Sequence, residues 1–212
     1  MTRTRAVLWD LDGTLIDSMP AHVVAWRTIL KDIGIELDDL YVRLHEGEKA
    51  EVTVGRLIAE HGMNMSAVDL AGLIEKKRAI YRTMSPKGLI PEARQLIVEL
   101  NDRGIESSIV TGSIRANLNG VVSPEEQSLF KRIISADDYE HGKPAPDPYL
   151  LGIAQSGFTA EECLAFENAP LGIQSARAAG LRTVAITTTL PESYLNGADF
   201  IITSYEEVKG LL

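Results

Sequence analysis

Apolar positions divide the chain into stretches of unlike period. "AVLW" (Ala6 to Trp9) is an unbroken apolar run too short for a helix, and "DLDGT" follows at once. That pattern predicts a buried strand ending in a turn. From Met19 the apolar positions recur at helical spacing. A helix is expected there, with Ser18 as N-cap, Pro20 in the first turn and Gly34 as the stop. More helical pattern ends near Leu44 and returns from Lys49 to His61 and from Ser66 to Met84, with no strand pattern between. Residues 18–85 therefore predict an all-helical unit, closed by the punctuation "SPKG".

The period changes after Gly88. A helix over Pro91 to Arg103 is followed by a strand at "IESSIVTG". Ser123 and Glu126 form a capping box that opens a helix expected to run to Ile133, next to a strand at "RIISADD". A helix over Asp147 to Ser156 precedes a second capping box, Thr159 with Glu162, and the strand "CLAFEN". The helix Leu171 to Ala179 stops at Gly180 before the strands "RTVAIT" and "DFIITS". Strands alternating with helices imply a parallel sheet covered on both faces. The expected fold is α/β: a Rossmann-like parallel-sheet core, residues 1–17 and 86–212, with an all-helical cap of residues 18–85 inserted after the first strand.

With 212 residues the chain is long enough for a sizeable core, and 45% hydrophobic with 24% charged residues is a globular profile. A net charge of −9 argues against nucleic acid or an anionic membrane as partner. It leaves small anionic substrates open, because a bound cation reverses the local field. The single cysteine, Cys163, has no internal partner and lies among apolar residues, so a buried packing role in a reducing compartment is expected. The opening stretch "MTRTRAVLWDLDG" has no long apolar run and no segment approaches a membrane span. Cytoplasmic location is the expectation, as a monomer with a dimer as alternative.

Ligands in open α/β sheets bind at the carboxyl ends of the strands. Four strands are expected to end there in polar residues: Asp10 and Asp12, Thr111, the region before Lys143, and Glu167 with Asn168. Brought together, they form an oxygen-rich site with one ammonium and neither thiolate nor imidazole, which suits Mg²⁺. Mg²⁺ beside a lysine and a hydroxyl invites a phosphoryl group, with an aspartate as covalent nucleophile.

These residues carry a resemblance. "DLDGT", "IVTGS", "GKPAPDPYL" and "FENAPLGIQSARAAG" occur in order and match the four signature loops of the haloacid dehalogenase superfamily of phosphohydrolases. The chain resembles its β-phosphoglucomutase-like subgroup over essentially the full length, including the helical cap. The resemblance implies that Asp10 is the nucleophile that becomes an aspartyl-phosphate. It implies that Asp12 protonates the leaving oxygen and then deprotonates the attacking water. Asp10 and the Asp12 backbone carbonyl would bind Mg²⁺, with Glu167 and Asn168 completing the shell. Thr111, with the backbone of Gly112 and Ser113, would hold the phosphoryl oxygens, and Lys143 would neutralise developing charge. Family dehalogenases and phosphonatases lack an aspartate at the position of Asp12, which favours phosphate transfer.

Asn168 departs from the family pattern, where an aspartate is usual, and contributes no charge. In the cap, "RLHEGEKAE" places Glu46 beside Gly47 in the loop that faces the site in similar proteins. Glu46 is expected to reach the metal or its waters; an exposed loop glutamate is the alternative. His22 and Trp26, four apart, share a helix face. His22 either contacts substrate or is a surface histidine beside a packed tryptophan. His45, Arg43 and Lys49 either bind the distal end of the substrate or are solvated cap residues. His61 and His141 have no ligand-like partners in sequence and no role is expected of them.

The expected activity is Mg²⁺-dependent hydrolysis of a small phosphate substrate, either inorganic pyrophosphate or a small monoester. A phosphosugar mutase is the alternative. Mutase-like caps carry an arginine after the loop glycine where this chain has Ala50. A non-catalytic binding module on the same scaffold is the third reading.

Overall fold

The computed structural model describes residues 3–210. Its centre is a six-stranded, all-parallel sheet of β1 (Ala6–Trp9), β2 (Glu106–Val110), β3 (Arg132–Ile134), β4 (Cys163–Glu167), β5 (Arg182–Ile186) and β6 (Phe200–Ile202), in the order β3-β2-β1-β4-β5-β6. The helices are α1 (Met19–Lys31), α2 (Asp39–Leu44), α3 (Ala50–Glu60), α4 (Ala67–Met84), α5 (Pro91–Asp102), α6 (Arg115–Val121), α7 (Pro124–Gln127), α8 (Asp147–Ser156) and α9 (Pro170–Ala178).

Burial on both faces explains why β1 is apolar throughout. Val7 and Trp9 pack with Ile109, Phe166 and the α5 residues Leu96, Ile97 and Leu100 on one face. Ala6 and Leu8 pack with Val110, Ala165, Tyr149 of α8 and Ala176 of α9 on the other. Cys163 lies fully buried in that second cluster, in the packing role its setting implies. The strand order reverses beside β1, and there the strand tips open into a crevice.

Helices α1–α4 lie between β1 and α5 in sequence and share a core of their own, built on Met19, Trp26, Leu30, Val54, Leu57 and Ile74. Leu40 and Leu44 of α2 instead pack against Leu190 and Leu195 of the segment after β5. Among the described residues no helix is long and apolar enough to cross a membrane.

Two local expectations are corrected, and one element is new. Ser18 precedes α1 but makes no side-chain cap; its hydroxyl donates to Asp12 Oδ1 instead, at 2.7 Å. The capping box of Ser123 and Glu126 forms, but α7 ends at Gln127 rather than Ile133, since the following residues turn into β3. Helix α6 is absent from the sequence reading because "RANLNGV" is rich in weak helix formers.

Candidate active site

Asp10 extends β1 by one rung: its backbone N–H donates to Phe166 O at 2.9 Å. The side chain is fully buried at the sheet's switch point, where Lys143 Nζ donates to Asp10 Oδ1 at 2.6 Å and to Glu167 Oε1 at 2.7 Å. Lys143 arrives from the loop before α8, not from a strand tip. Glu167 ends β4, and its Oε1 also accepts from Tyr149 Oη at 2.5 Å. A Cβ on Gly172 would stand 2.1 Å from the Glu167 carboxyl carbon, so only glycine lets the α9 backbone approach this close.

Glu46 of the loop between α2 and α3 joins this group. One oxygen each from Asp10, Glu46 and Glu167 lie within 4.8 Å of one another. Asp10 Oδ2 and Glu46 Oε2 are shielded from solvent and lack hydrogen-bond partners. Buried carboxylate oxygens in that state are costly unless a cation meets them. Three carboxylates face a single ammonium, and all the donors are hard oxygens, so the residues fit a divalent cation such as Mg²⁺. The proton affinities agree. Burial raises Asp10, with Lys143 opposing and Glu167 adding to the rise. Burial and then Asp10 raise Glu46 well above the usual range. Burial lowers the Lys143 ammonium, but Asp10 and Glu167 outweigh it and hold it well above its ordinary value.

Asn168 is held on both sides of its amide: Thr14 Oγ1 donates to its Oδ1 at 3.1 Å, and its Nδ2 donates to Thr189 Oγ1 at 2.9 Å. An aspartate could not make the second bond as donor, so the amide suits this threonine pair. Its oxygen retains a further lone pair for a cation.

Asp12 turns away from the carboxylate cluster into a cage of donors. Ser18 Oγ and Tyr81 Oη donate to its Oδ1 at 2.7 and 2.6 Å, and Ser113 Oγ donates to Oδ2 at 2.8 Å. His22 Nε2 lies 3.0 Å from Oδ1, and Lys77 Nζ lies 2.9 Å from His22 Nδ1. Those partners assign a neutral His22 with its proton on Nε2. Burial pushes the Asp12 carboxyl up, but the His22 ring and the Ser18 and Tyr81 hydroxyls outweigh it and hold it well below the carboxylate range. Burial pulls the Lys77 ammonium down to about 8. His22 is thus buried between Lys77 of α4 and Asp12, which corrects the surface alternative.

Thr111 follows β2 and is buried, and its Oγ1 accepts from the Ser113 backbone N–H at 3.0 Å. A Cβ on Gly112 would stand 2.4 Å from Gly47 O, and one on Gly47, where φ is +86°, would stand 2.8 Å from Lys143 Cδ. The loop between α2 and α3 therefore sits directly on the backbone after β2 and on the lysine. His45 lines the resulting cavity, but its Nδ1 bonds to Tyr41 O at 2.9 Å. The structure does not bring Lys49 to that cavity: its Nζ donates to Tyr139 O at 2.6 Å, outside the lining. Arg43 Nη1 donates to Thr189 O at 3.3 Å, tying α2 to the segment after β5.

Sequence reasoning missed Ser18, Lys77, Tyr81 and Tyr149. Lys77 sits in the run "EKKR", where a solvated face is the default reading. Tyr81 gives no signal, since 69 residues separate it from Asp12.

A doubly wound parallel sheet with a nucleophile-like aspartate at its first strand tip, a lysine on it and helices folded over both defines a phosphoryl-transfer hydrolase. The chain belongs to the haloacid dehalogenase-like hydrolases, whose family model matches residues 7–186. Within that family it is of the β-phosphoglucomutase-like subgroup of phosphohydrolases. It is 32% identical to hexitol phosphatase A of Escherichia coli (strain K12), over 97% of this chain and 94% of that one. It is 29% identical to the fructose-1-phosphate phosphatase YqaB of the same organism, over 87% and 97% of the two chains. A solved structure from Bacteroides vulgatus, named for β-phosphoglucomutase, is 31% identical, with a TM-score of 0.83 over 98% of this chain and 87% of its own.

Proposed function

We propose that the chain is a Mg²⁺-dependent phosphohydrolase in the cytoplasm that hydrolyses a compact phosphate substrate through an aspartyl-phosphate on Asp10. The observation that carries this reading is the Asp10 carboxylate itself, gripped on one oxygen by Lys143 and without a partner on the other. The partnerless oxygen attacks phosphorus, the bond to the leaving group breaks, and Asp12, ionised in its cage, relays to the leaving oxygen a proton drawn from the donors around it. Water then attacks the aspartyl-phosphate, Asp12 accepts its proton, and phosphate departs with Asp10 restored. Thr111 with the backbone of Gly112 and Ser113 orients the phosphoryl oxygens, and Lys143 meets their charge. Mg²⁺, held by Asp10, the Asp12 carbonyl, Glu167, Asn168 and Glu46, would supply further positive charge when bound.

The size of the site favours inorganic pyrophosphate. With Gly47 seated on Gly112, the cavity beside Asp12 and His22 measures about 50 Å³. A second reading, a small phosphosugar monoester, is favoured by the names of the two E. coli relatives. A mutase reading finds no arginine at Ala50, although the B. vulgatus relative bears a mutase name. We take residues 18–85 as a cap that opens on the core of residues 1–17 and 86–212 to admit substrate.

Phosphate release with Mg²⁺ from pyrophosphate, a hexitol phosphate, fructose 1-phosphate and β-glucose 1-phosphate tests the reading, with Asp10→Asn as control. Pyrophosphate is expected to turn over fastest. Preferred turnover of a sugar phosphate would replace the pyrophosphate reading, and formation of glucose 6-phosphate would replace the hydrolase. No release above the Asp10→Asn control would favour a binding module.

A further inference from the structure

The loop between α2 and α3, residues 45–49, carries Glu46 and Gly47 onto the core, and side chains of the cap pin it at both ends. At its start the His45 ring stacks on Tyr41, with centroids 4.1 Å apart and planes at 23°. At its end Glu48 Oε2 accepts from Arg56 Nη2 and from Thr53 Oγ1, both at 2.7 Å. Arg56 joins the two pins. Its other terminal nitrogen, Nη1, donates to Tyr41 Oη, and its guanidinium lies 5.5 Å from the Tyr41 ring centroid. The Arg56–Glu48 pair is no ordinary surface ion pair, since the Glu48 side chain is only 11% exposed and takes two donors on one oxygen.

Between the pins stands Glu46, with its carboxylate beside Asp10 and Glu167. Gly47 sits at φ +86°, and a glycine leaves this backbone free to take other shapes as well. A loop free to take several shapes would pay an ordering cost each time Glu46 met a cation. We propose that Arg56 is a positioning residue for the metal site: by clamping Glu48 and Tyr41 together, it holds the 45–49 loop in the shape that delivers the Glu46 carboxylate to Asp10 and Glu167. The proposal rests on the reading of Glu46 as a metal-facing residue. Arginine suits the task because its planar fork reaches two partners at once, whereas a lysine offers a single point charge.

Direct calorimetric titration of the full-length, substrate-free protein with Mg²⁺, and with Mn²⁺ as a tighter probe, tests this without any turnover. Glu46→Gln and Arg56→Gln are each expected to weaken binding by about tenfold, the low end for groups that orient a metal's ligands. The double variant is expected to bind no more weakly than Glu46→Gln alone, because Arg56 acts only through Glu46. Arg56→Lys should recover part of the loss. Should Arg56→Gln fold poorly, Tyr41→Phe removes one of the guanidinium's partners while keeping the ring, and a smaller loss is expected. Wild-type affinity in Arg56→Gln, with affinity lost in Glu46→Gln, would overturn the clamp and leave the Glu46 reading intact. Losses that multiply in the double variant would overturn it as well. Wild-type affinity in Glu46→Gln would overturn the Glu46 reading, and the clamp with it.

Discussion

The strand tips and the loop between α2 and α3 present carboxylates to one cluster but hold them by different means. Asp10 and Glu167 stand at the ends of β1 and β4, where backbone ladders and packing on both faces fix them. Glu46 hangs in a loop fastened by side chains, His45 on Tyr41 and Glu48 on Arg56. A change at the strand tips should therefore disturb folding and chemistry together, whereas a change at the cap loop should disturb chemistry alone.

The sharpest break in that comparison is Lys143→Met. It leaves the buried Asp10 and Glu167 without their shared ammonium, at 2.6 and 2.7 Å in the wild type. Removal of one partner from a buried ion pair costs about 3–5 kcal/mol, so urea unfolding should show a loss of that order in metal-free buffer. Turnover should fall by about 10³-fold or more, as for loss of a main electrostatic stabiliser. Unchanged stability would place Lys143 among surface-like residues and contradict its burial.

Gly112→Ala should act from the other side. Its new Cβ would meet Gly47 O and push the cap loop off the core, so turnover should fall by about 10- to 100-fold, an effect of misplaced reacting groups. Thermal unfolding of the core should stay near the wild-type midpoint. A large drop in that midpoint would mean that loop and core are one cooperative unit.

Tyr81→Phe is the mildest change. It removes one of several donors on Asp12, and a bond to a charged acceptor contributes about 1.5 kcal/mol at the low end. Asp12 titrates below its unfolded value, so its donors stabilise the fold fully above about pH 4 and progressively less as pH falls toward the folded value. The gap between wild type and Tyr81→Phe in denaturant unfolding should thus be full at pH 6 and shrink at pH 3. An equal gap at both would show that the hydroxyl does not act on the ionised carboxylate.

The same contrast explains what the sequence revealed. Asp10, Thr111 and Glu167 were legible because each ends an apolar run, and a parallel sheet buried on both faces brings such ends together at one edge. Lys143 was legible only through the setting "GKPAPDP", since no strand ends at it. The cage on Asp12 was not legible. Tyr81, Lys77 and His22 come from two cap helices, and a helical period says which face is apolar, not which polar group on that face meets a distant carboxylate. Ser18 was misread for a related reason: a serine before a helix is an ordinary cap, and only the return of the chain past Asp12 gives its hydroxyl a stronger acceptor. Likewise α7 begins where its capping box says but ends early, because a start signal carries no information about length.

The central claim is that Asp10 carries the phosphoryl group, and trapping it is the most direct measurement. Wild-type protein with Mg²⁺ would be mixed with the ³²P-labelled phosphate that turns over fastest, quenched in acid within milliseconds, and digested for peptide mapping. The account predicts acid-stable label on the peptide that holds Asp10, absent from Asp10→Asn. Full turnover with no label on that peptide at any quench time, or label retained in Asp10→Asn, would contradict it.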